Sequence, residues 1–171
     1  MRPRRRRPSR PCARRWRSVP EGARLGIDWG KARIGVAACN AGVSFAYPVE
    51  TVPAGTDELR RLQAIVEEYE PGVVYIGLPL TLSGERSFAA QFVLDKAAHL
   101  ARAIPATPVR LVDERMSTAS ASRSLVDAGR STRQHRRVID QAAAVEILQR
   151  ALDHEQRTGE VAGEAVIQEE E

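Results

Sequence analysis

Carboxylates stand at three places in this 171-residue chain, within an apolar segment or next to one. Asp28 lies in the apolar stretch RLGIDWGKARIGVAAC, Asp113 and Glu114 end the stretch PVRLVDE, and Asp140 lies in the first turn of a predicted last helix. A buried carboxylate is costly unless an opposite charge or a cation compensates it. Taken alone, Asp28 is therefore either a cation ligand or an aspartate that caps the turn after its strand.

The elements that position these residues follow from the apolar periodicity. Three apolar segments with short connections predict an antiparallel meander, and VVYIGL and PVRLVDE predict two further strands. Helical spacing predicts helices after Thr56 or Asp57, over 86–103 with Phe88 facing inward, over STASASRSLVDAG, and over 137–153. The resulting order, β-β-β-α-β-α-β-α-α, predicts an α/β fold with one five-stranded mixed sheet and helices on both faces.

A fold of this kind gives the acidic residues a shared chemistry. Strand ends and helix starts gather at one edge of an open sheet, so we expect the three acidic positions to meet there. Because like charges repel, such a cluster is stable when cations lie between the carboxylates. Oxygen ligands favour Mg²⁺ or Mn²⁺. Two such ions about 4 Å apart are a common apparatus for hydrolysing a phosphodiester bond.

Four segments also resemble the motifs of a known family. GIDWGKARIGVA, YIGLPLTLSGERS, LVDERMSTASA and IDQAAAVEIL are similar, in order and in spacing, to the four motifs of the YqgF/RuvX family. The resemblance covers about residues 22–153. It implies an RNase H-like fold of the RuvC type. It also implies a nuclease that matures the 5′ end of pre-16S rRNA in the bacterial cytoplasm, or a Holliday junction resolvase.

The resemblance further implies roles for the acidic residues. Asp28 on the first strand, Glu114 after the fifth strand and Asp140 on the last helix would be the catalytic ligands of two Mg²⁺ or Mn²⁺ ions. In the resolvases the middle acid ends the fourth strand, whereas here that strand ends GLPL without an acid. Asp113 is therefore the alternative to Glu114 as the middle ligand.

Basic residues near these carboxylates predict a nucleic-acid-binding surface. Arg33 opens the second strand close to Asp28, where it either contacts a phosphate or forms a surface ion pair. The segment GRSTRQHRR (129–137) is either a mobile loop that closes over nucleic acid or a solvated linker. The segment GLPLTLSGERS either binds a phosphate through backbone N–H groups or caps the next helix. The predicted nucleic-acid-binding residues are Arg33, Arg115, Arg130, Arg133, Arg136 and Arg137.

Charge divides the chain into three parts. Residues 1–20 contain nine arginines and no acid, residues 155–171 contain six glutamates and one arginine, and the segment between them is neutral. We therefore predict a disordered Arg-rich arm at 1–21, a nuclease domain at 22–154 and a disordered acidic tail at 155–171. The arm is either a phosphate-binding extension or a segment without a role.

Composition excludes several other classes of protein. No apolar run is long enough to span a membrane, and the two cysteines lack metal-ligand spacing, which fits a reducing cytoplasm. Sugar kinases and related ATPases share a similar strand-turn motif, but they need two such domains and a longer chain. The expected partners are precursor rRNA or branched DNA and the small ribosomal subunit, and the expected state is a monomer or weak homodimer. A non-catalytic RNA-binding assembly factor is the alternative from another class.

Overall fold

The structure, a computed structural model, describes residues 18–81, 83, 85–114 and 133–167, and for 133–139 it describes the backbone alone. The predicted helix STASASRSLVDAG lies outside these residues. So do Arg115, Arg130, most of the N-terminal arm and the last four residues of the acidic tail.

One mixed sheet forms the centre of the fold. Its strands are β1 (Arg24–Trp29), β2 (Arg33–Cys39), β3 (Tyr47–Pro53), β4 (Val73–Leu78), β5 (Val109–Asp113) and β6 (Glu164–Ala165). They lie in the order β3-β2-β1-β4-β5-β6. The β1–β2 and β2–β3 pairs are antiparallel, β1–β4 and β4–β5 are parallel, and β5–β6 is antiparallel. The predicted meander and the five predicted strands are confirmed, and the sheet has one strand more than predicted.

Helices cover both faces of this sheet, as predicted. The helices are α1 (Glu58–Tyr69), α2 (Phe88–Ala103) and α3 (Arg133–Thr158). One core holds apolar residues of α1 and α2 against one face of the sheet, and a second core holds α3 against the other face through Ala144, Leu148 and Ala151. Among the described residues, no helix is both long and apolar enough to cross a bilayer.

Helix α3 is longer than the helix predicted over 137–153. It begins at Arg133, so Asp140 lies about two turns inside the helix rather than in its first turn. The prediction of a loop over 129–137 is therefore wrong for 133–137. The physical reason is local: RQHRR contains no glycine or proline, and arginine and glutamine are good helix formers.

The predicted disordered tail at 155–171 needs correction over 155–167. Helix α3 continues to Thr158, and β6 pairs with β5, which would otherwise be the edge strand. Val161 and Ala162 are buried, and the Arg110 guanidinium donates hydrogen bonds to the carbonyl oxygens of Ala162 and Gly163. The acidic composition of the tail hides this short apolar segment, which covers an otherwise open sheet edge.

A buried polar network fixes the C-terminal half of α3 to the sheet. Arg24 of β1 donates from Nε to Glu155 of α3 over 3.1 Å, and the Tyr75 hydroxyl of β4 donates to the same carboxylate. Burial raises the pKa of Tyr75, and the neighbouring Glu155 raises it further, so the hydroxyl remains a donor at ordinary pH. The network ties α3 to β1 and β4, the two strands at the centre of the sheet.

Phe88 and Cys39 lie at the ends of their elements, and Phe88 is exposed whereas Cys39 is buried. Phe88 is the first residue of α2 and is 96% exposed, so the prediction that it faces inward is wrong. The periodicity is correct for Val93, Ala97 and Leu100, which are buried, but it cannot place a residue at the helix start. Cys39 ends β2 as a free, buried thiol whose pKa is raised by burial.

Candidate active site

Asp28 lies on the face of the sheet that α3 covers. Its neighbours Ile27 and Trp29 belong to the core under α1 and α2, so the pleat of β1 places Asp28 on the opposite face. Asp28 is 4% exposed, and it lies one residue before the end of its strand, as predicted. It pairs in register with Gly35 of β2, which contributes no side chain beside the carboxylate.

Asp140 reaches this place through a close contact between α3 and β2. A Cβ built on Gly35 would lie 2.7 Å from the carbonyl carbon of Asp140 and closer still to its oxygen. Only glycine allows the helix backbone to approach the strand so closely. Because Gly35 is the register partner of Asp28, this contact places Asp140 beside the end of β1.

Glu114 approaches Asp28 from the other side. The parallel register pairs Ile27 with Ile76, so Gly77 is the β4 residue next to Asp28. A Cβ built on Gly77 would lie 2.9 Å from the carboxyl carbon of Glu114, so this carboxyl group occupies the space over β4. Neighbouring strands lie about 4.8 Å apart, which places the Glu114 carboxyl group roughly one strand spacing from β1. Glu114 is 5% exposed.

Alternation along β5 separates the two candidates for the middle position. Val109 and Leu111 belong to the core under α1 and α2, whereas Val112 packs against the core under α3. The Glu114 N–H continues the ladder by donating to the Leu78 carbonyl oxygen, so the alternation extends one residue past the strand. Glu114 therefore shares the α3 face with Asp28, and Asp113 falls on the opposite face.

The structure thus gathers Asp28, Glu114 and Asp140 at one edge and on one face of the sheet. Two glycines make this possible: Gly35 and Gly77 flank Asp28 and leave the space that Asp140 and Glu114 occupy. Sequence reasoning missed both glycines, although a glycine within an apolar strand is a signal of close approach. Within the described residues, no three His, Cys, Asp or Glu side chains are already arranged as a metal-binding group.

Among the side chains that the structure describes, Arg33 contacts one of these carboxylates. Its Nε donates to Asp140 Oδ2 over 2.6 Å, and the two side chains are 29% and 19% exposed. Arg33 thus forms an ion pair with one of the three candidate carboxylates. Arg133, Arg136 and Arg137 lie on the first turns of α3, and their side chains are not described.

The segment between β4 and α2 follows its capping interpretation. Ser87 occupies the N-cap of α2, and its side-chain oxygen accepts a hydrogen bond from the Ala90 N–H over 3.3 Å. The Thr81 N–H donates to the Glu85 carbonyl oxygen over 3.1 Å, which closes a turn before the helix. Thr81, Glu85 and Ser87 of this segment therefore have local hydrogen-bonding roles.

A comparison with protein families identifies the chain. A family model with the description "RuvX: Holliday junction resolvase" matches residues 22–154. The chain belongs to the RuvX family. RuvX relatives in two bacteria each carry the name "Putative pre-16S rRNA nuclease". The relative in Cutibacterium acnes is 54% identical over 132 residues, which cover 77% of this chain and 82% of that protein. The relative in Streptomyces avermitilis is 51% identical over 148 residues, which cover 85% of this chain and 94% of that protein.

Solved structures confirm the fold expected of a RuvX protein. The RuvC protein of Thermus thermophilus, solved in complex with a Holliday junction substrate, matches with a TM-score of 0.52 and 14% identity. This match covers 82% of the RuvX chain and 98% of the RuvC chain. A second structure of Thermus thermophilus RuvC matches with a TM-score of 0.50 over 84% of this chain and 99% of that chain. The RNase H-like fold of the RuvC type is therefore confirmed.

Proposed function

We propose that this protein is a metal-dependent nuclease that hydrolyses phosphodiester bonds and matures the 5′ end of pre-16S rRNA. One observation carries the proposal: Asp28, Glu114 and Asp140 come from distant parts of the chain and gather on one face at one edge of the sheet. Family membership and the name carried by relatives that are about half identical support the same activity.

The chemistry of the three side chains fits a hard divalent cation. Asp28, Glu114 and Asp140 offer only carboxylate oxygens, which suit Mg²⁺ or Mn²⁺ better than softer metals. Asp28 and Glu114 are almost fully buried, so a cation near them would offset the cost of two neighbouring negative charges. When bound, two such ions supply an activated water and stabilise the leaving oxygen.

The chain itself has three tasks in this reaction. The rigid ends of β1 and β5 hold the carboxylates of Asp28 and Glu114, and α3 brings Asp140 against them through Gly35. Arginines would contact the phosphates that flank the bond to be cut. We assign this role to Arg33, Arg115, Arg130, Arg133, Arg136 and Arg137.

The N-terminal arm would add phosphate contacts that do not depend on sequence. Nine arginines within residues 1–20 give this segment a strong attraction for a nucleic acid backbone. Removal of residues 1–17 should flatten the plot of log affinity against log salt by about 0.7–0.9 for each phosphate contact that is lost. An unchanged slope would show that the arm makes no such contact.

Substrate choice separates the proposed function from a second candidate. The family description and the fold shared with RuvC favour a Holliday junction resolvase as the alternative. A resolvase must cut two strands symmetrically, which requires a two-fold dimer with two sites facing the junction. We propose instead a cytoplasmic monomer or weak homodimer that acts on precursor RNA close to the small ribosomal subunit.

Depletion of the protein in its own bacterium tests this choice. The proposal predicts accumulation of small-subunit rRNA with an unprocessed 5′ extension, measured by primer extension. Re-expression of the wild-type protein should restore the mature 5′ end, and re-expression of Asp28→Asn should not. A mature 5′ end after depletion, together with paired symmetric cuts in four-way junctions by a stable dimer, would favour the resolvase. Binding of precursor RNA without any cleavage would indicate an assembly factor.

A further inference from the structure

The ion pair between Arg33 and Asp140 involves one of the three carboxylates of the candidate site. It joins β2 to α3 across 107 positions of the chain, with Arg33 Nε 2.6 Å from Asp140 Oδ2. Arg33 and Gly35 alternate with Ile34, so they share a face of β2, and both contact Asp140. A guanidinium therefore lies against one of the three candidate carboxylates.

Asp140 Oδ2 cannot both accept a strong hydrogen bond from Arg33 and coordinate a divalent cation strongly. The guanidinium donates directly to Oδ2, and its positive charge neutralises the carboxylate that a cation would need. The pair is about one quarter exposed, so water screens it and its contribution to stability is modest. These properties suit a contact that exchanges partners.

Arg33 also has unused capacity for a phosphate. A guanidinium carries five N–H donors, and only Nε–H of Arg33 forms a hydrogen bond within the described part of the chain. Phosphate accepts two parallel hydrogen bonds from a guanidinium, a geometry that favours arginine over lysine. A nucleic acid backbone at this edge of the sheet would thus compete with Asp140 for Arg33.

We propose that Arg33 is the resident counter-ion of Asp140 and changes partner when nucleic acid binds, so that phosphate binding and cation binding are coupled. In the free protein Arg33 neutralises Asp140 and weakens the affinity of the cluster for a divalent cation. A bound phosphate draws Arg33 away and releases the Asp140 carboxylate. This inference rests on the proposed role of Asp140 as a cation ligand.

The coupling has a direct thermodynamic signature. If phosphate raises the affinity for the cation, the cation must raise the affinity for phosphate by the same factor. Calorimetry with Mn²⁺, with and without a short phosphorothioate oligonucleotide that resists hydrolysis, measures this factor. For the wild-type protein we expect the oligonucleotide to tighten Mn²⁺ binding by about fivefold or more.

The variant Arg33→Gln isolates the contribution of the arginine. Without oligonucleotide it should bind Mn²⁺ more tightly than the wild type, and it should gain less when the oligonucleotide is added. Mn²⁺ should also raise its melting temperature more than that of the wild type, because tighter binding to the folded state stabilises that state more. A residue with a merely structural role would not strengthen cation binding when it is removed.

The chain offers a matched control in a second ion-paired arginine. Arg61 donates from Nε to Glu50 over 2.9 Å at the junction of β3 and α1. Arg61→Gln should leave Mn²⁺ binding and its coupling to the oligonucleotide unchanged. Arg33→Lys keeps the positive charge but lacks the planar guanidinium. In the absence of oligonucleotide this variant should bind Mn²⁺ as weakly as the wild type does. It should bind the oligonucleotide less tightly than the wild type does.

Two results would overturn the proposal in distinguishable ways. Equal or weaker Mn²⁺ binding by folded Arg33→Gln would refute the counter-ion role and leave the metal-dependent nuclease intact. Absence of saturable Mn²⁺ binding in the wild type, with and without oligonucleotide, would instead refute the metal-dependent function, and the role of Arg33 would fall with it.

Discussion

The backbone of Gly35 packs directly against the backbone carbonyl group of Asp140. The distance between them leaves no room for even a methyl group on Gly35. This contact fixes where α3 crosses β2, and the register of β2 with β1 fixes where Asp28 lies beside it. The position of Asp140 relative to Asp28 is therefore set by the absence of a side chain. A change at Gly35 should alter the site without altering any of its carboxylates.

Gly35→Ala should displace α3 from β2 and lower both stability and cleavage. The added methyl group cannot fit beside the Asp140 backbone, and a steric conflict of this kind typically costs about 1–3 kcal/mol. Gly42→Ala is the matched control, because no atom lies near its Cβ and its cost is limited to about 1 kcal/mol for the positive φ of 74°. Denaturant unfolding and cleavage rates compare the two. Full cleavage by Gly35→Ala would contradict the placement of Asp140.

Glu114→Gln should abolish cleavage, whereas Asp113→Asn should reduce it only slightly. The two residues are adjacent, but alternation along β5 places Glu114 on the face of Asp28 and Asp113 on the other face. Each change preserves shape and removes one charge, so each variant is the control for the other. An inactive Asp113→Asn beside an active Glu114→Gln would refute the assignment of the middle ligand.

Truncation after Gly159 should destabilise the protein by about 2–4 kcal/mol. The cut removes the buried side chains of Val161 and Ala162, the pairing of β6 with β5, and the acceptors of Arg110. Truncation after Ile167 removes four residues beyond the described segment and should leave stability unchanged. Urea midpoints measure both effects. Equal midpoints for the two truncations would show that the paired segment contributes nothing.

The sequence alone predicts the strands of the sheet and the candidate acidic residues. It does not predict how those residues are arranged in space. Alternating apolar residues and short turns suffice for β1, β2 and β3, because each face of a strand must match the core that it contacts. The ambiguity between Asp113 and Glu114 depends on where alternation ends, and the Glu114 N–H that extends the ladder past β5 is visible only in three dimensions.

Long-range contacts explain the remaining differences. Residues 155–171 resemble a disordered acidic tail by composition. Val161 and Ala162 are nevertheless buried, because the segment that follows them pairs with β5, which would otherwise be the edge strand. Arg33 likewise resembles a surface arginine in a strand. Its partner Asp140 lies 107 residues away, so no local pattern relates the two.

The proposed function depends most directly on Asp28 as the anchor of a metal-dependent hydrolytic site. The most direct test is the rate at which purified Asp28→Asn cleaves a labelled RNA that spans the 5′ end of 16S rRNA, in Mg²⁺ and beside the wild type. We predict that the variant is folded, with a melting temperature in metal-free buffer at or above that of the wild type because one repelling charge is gone. We also predict that the variant does not cleave the RNA and that the wild type loses cleavage when Mg²⁺ is chelated. Cleavage at a rate close to that of the wild type by folded Asp28→Asn would contradict the account.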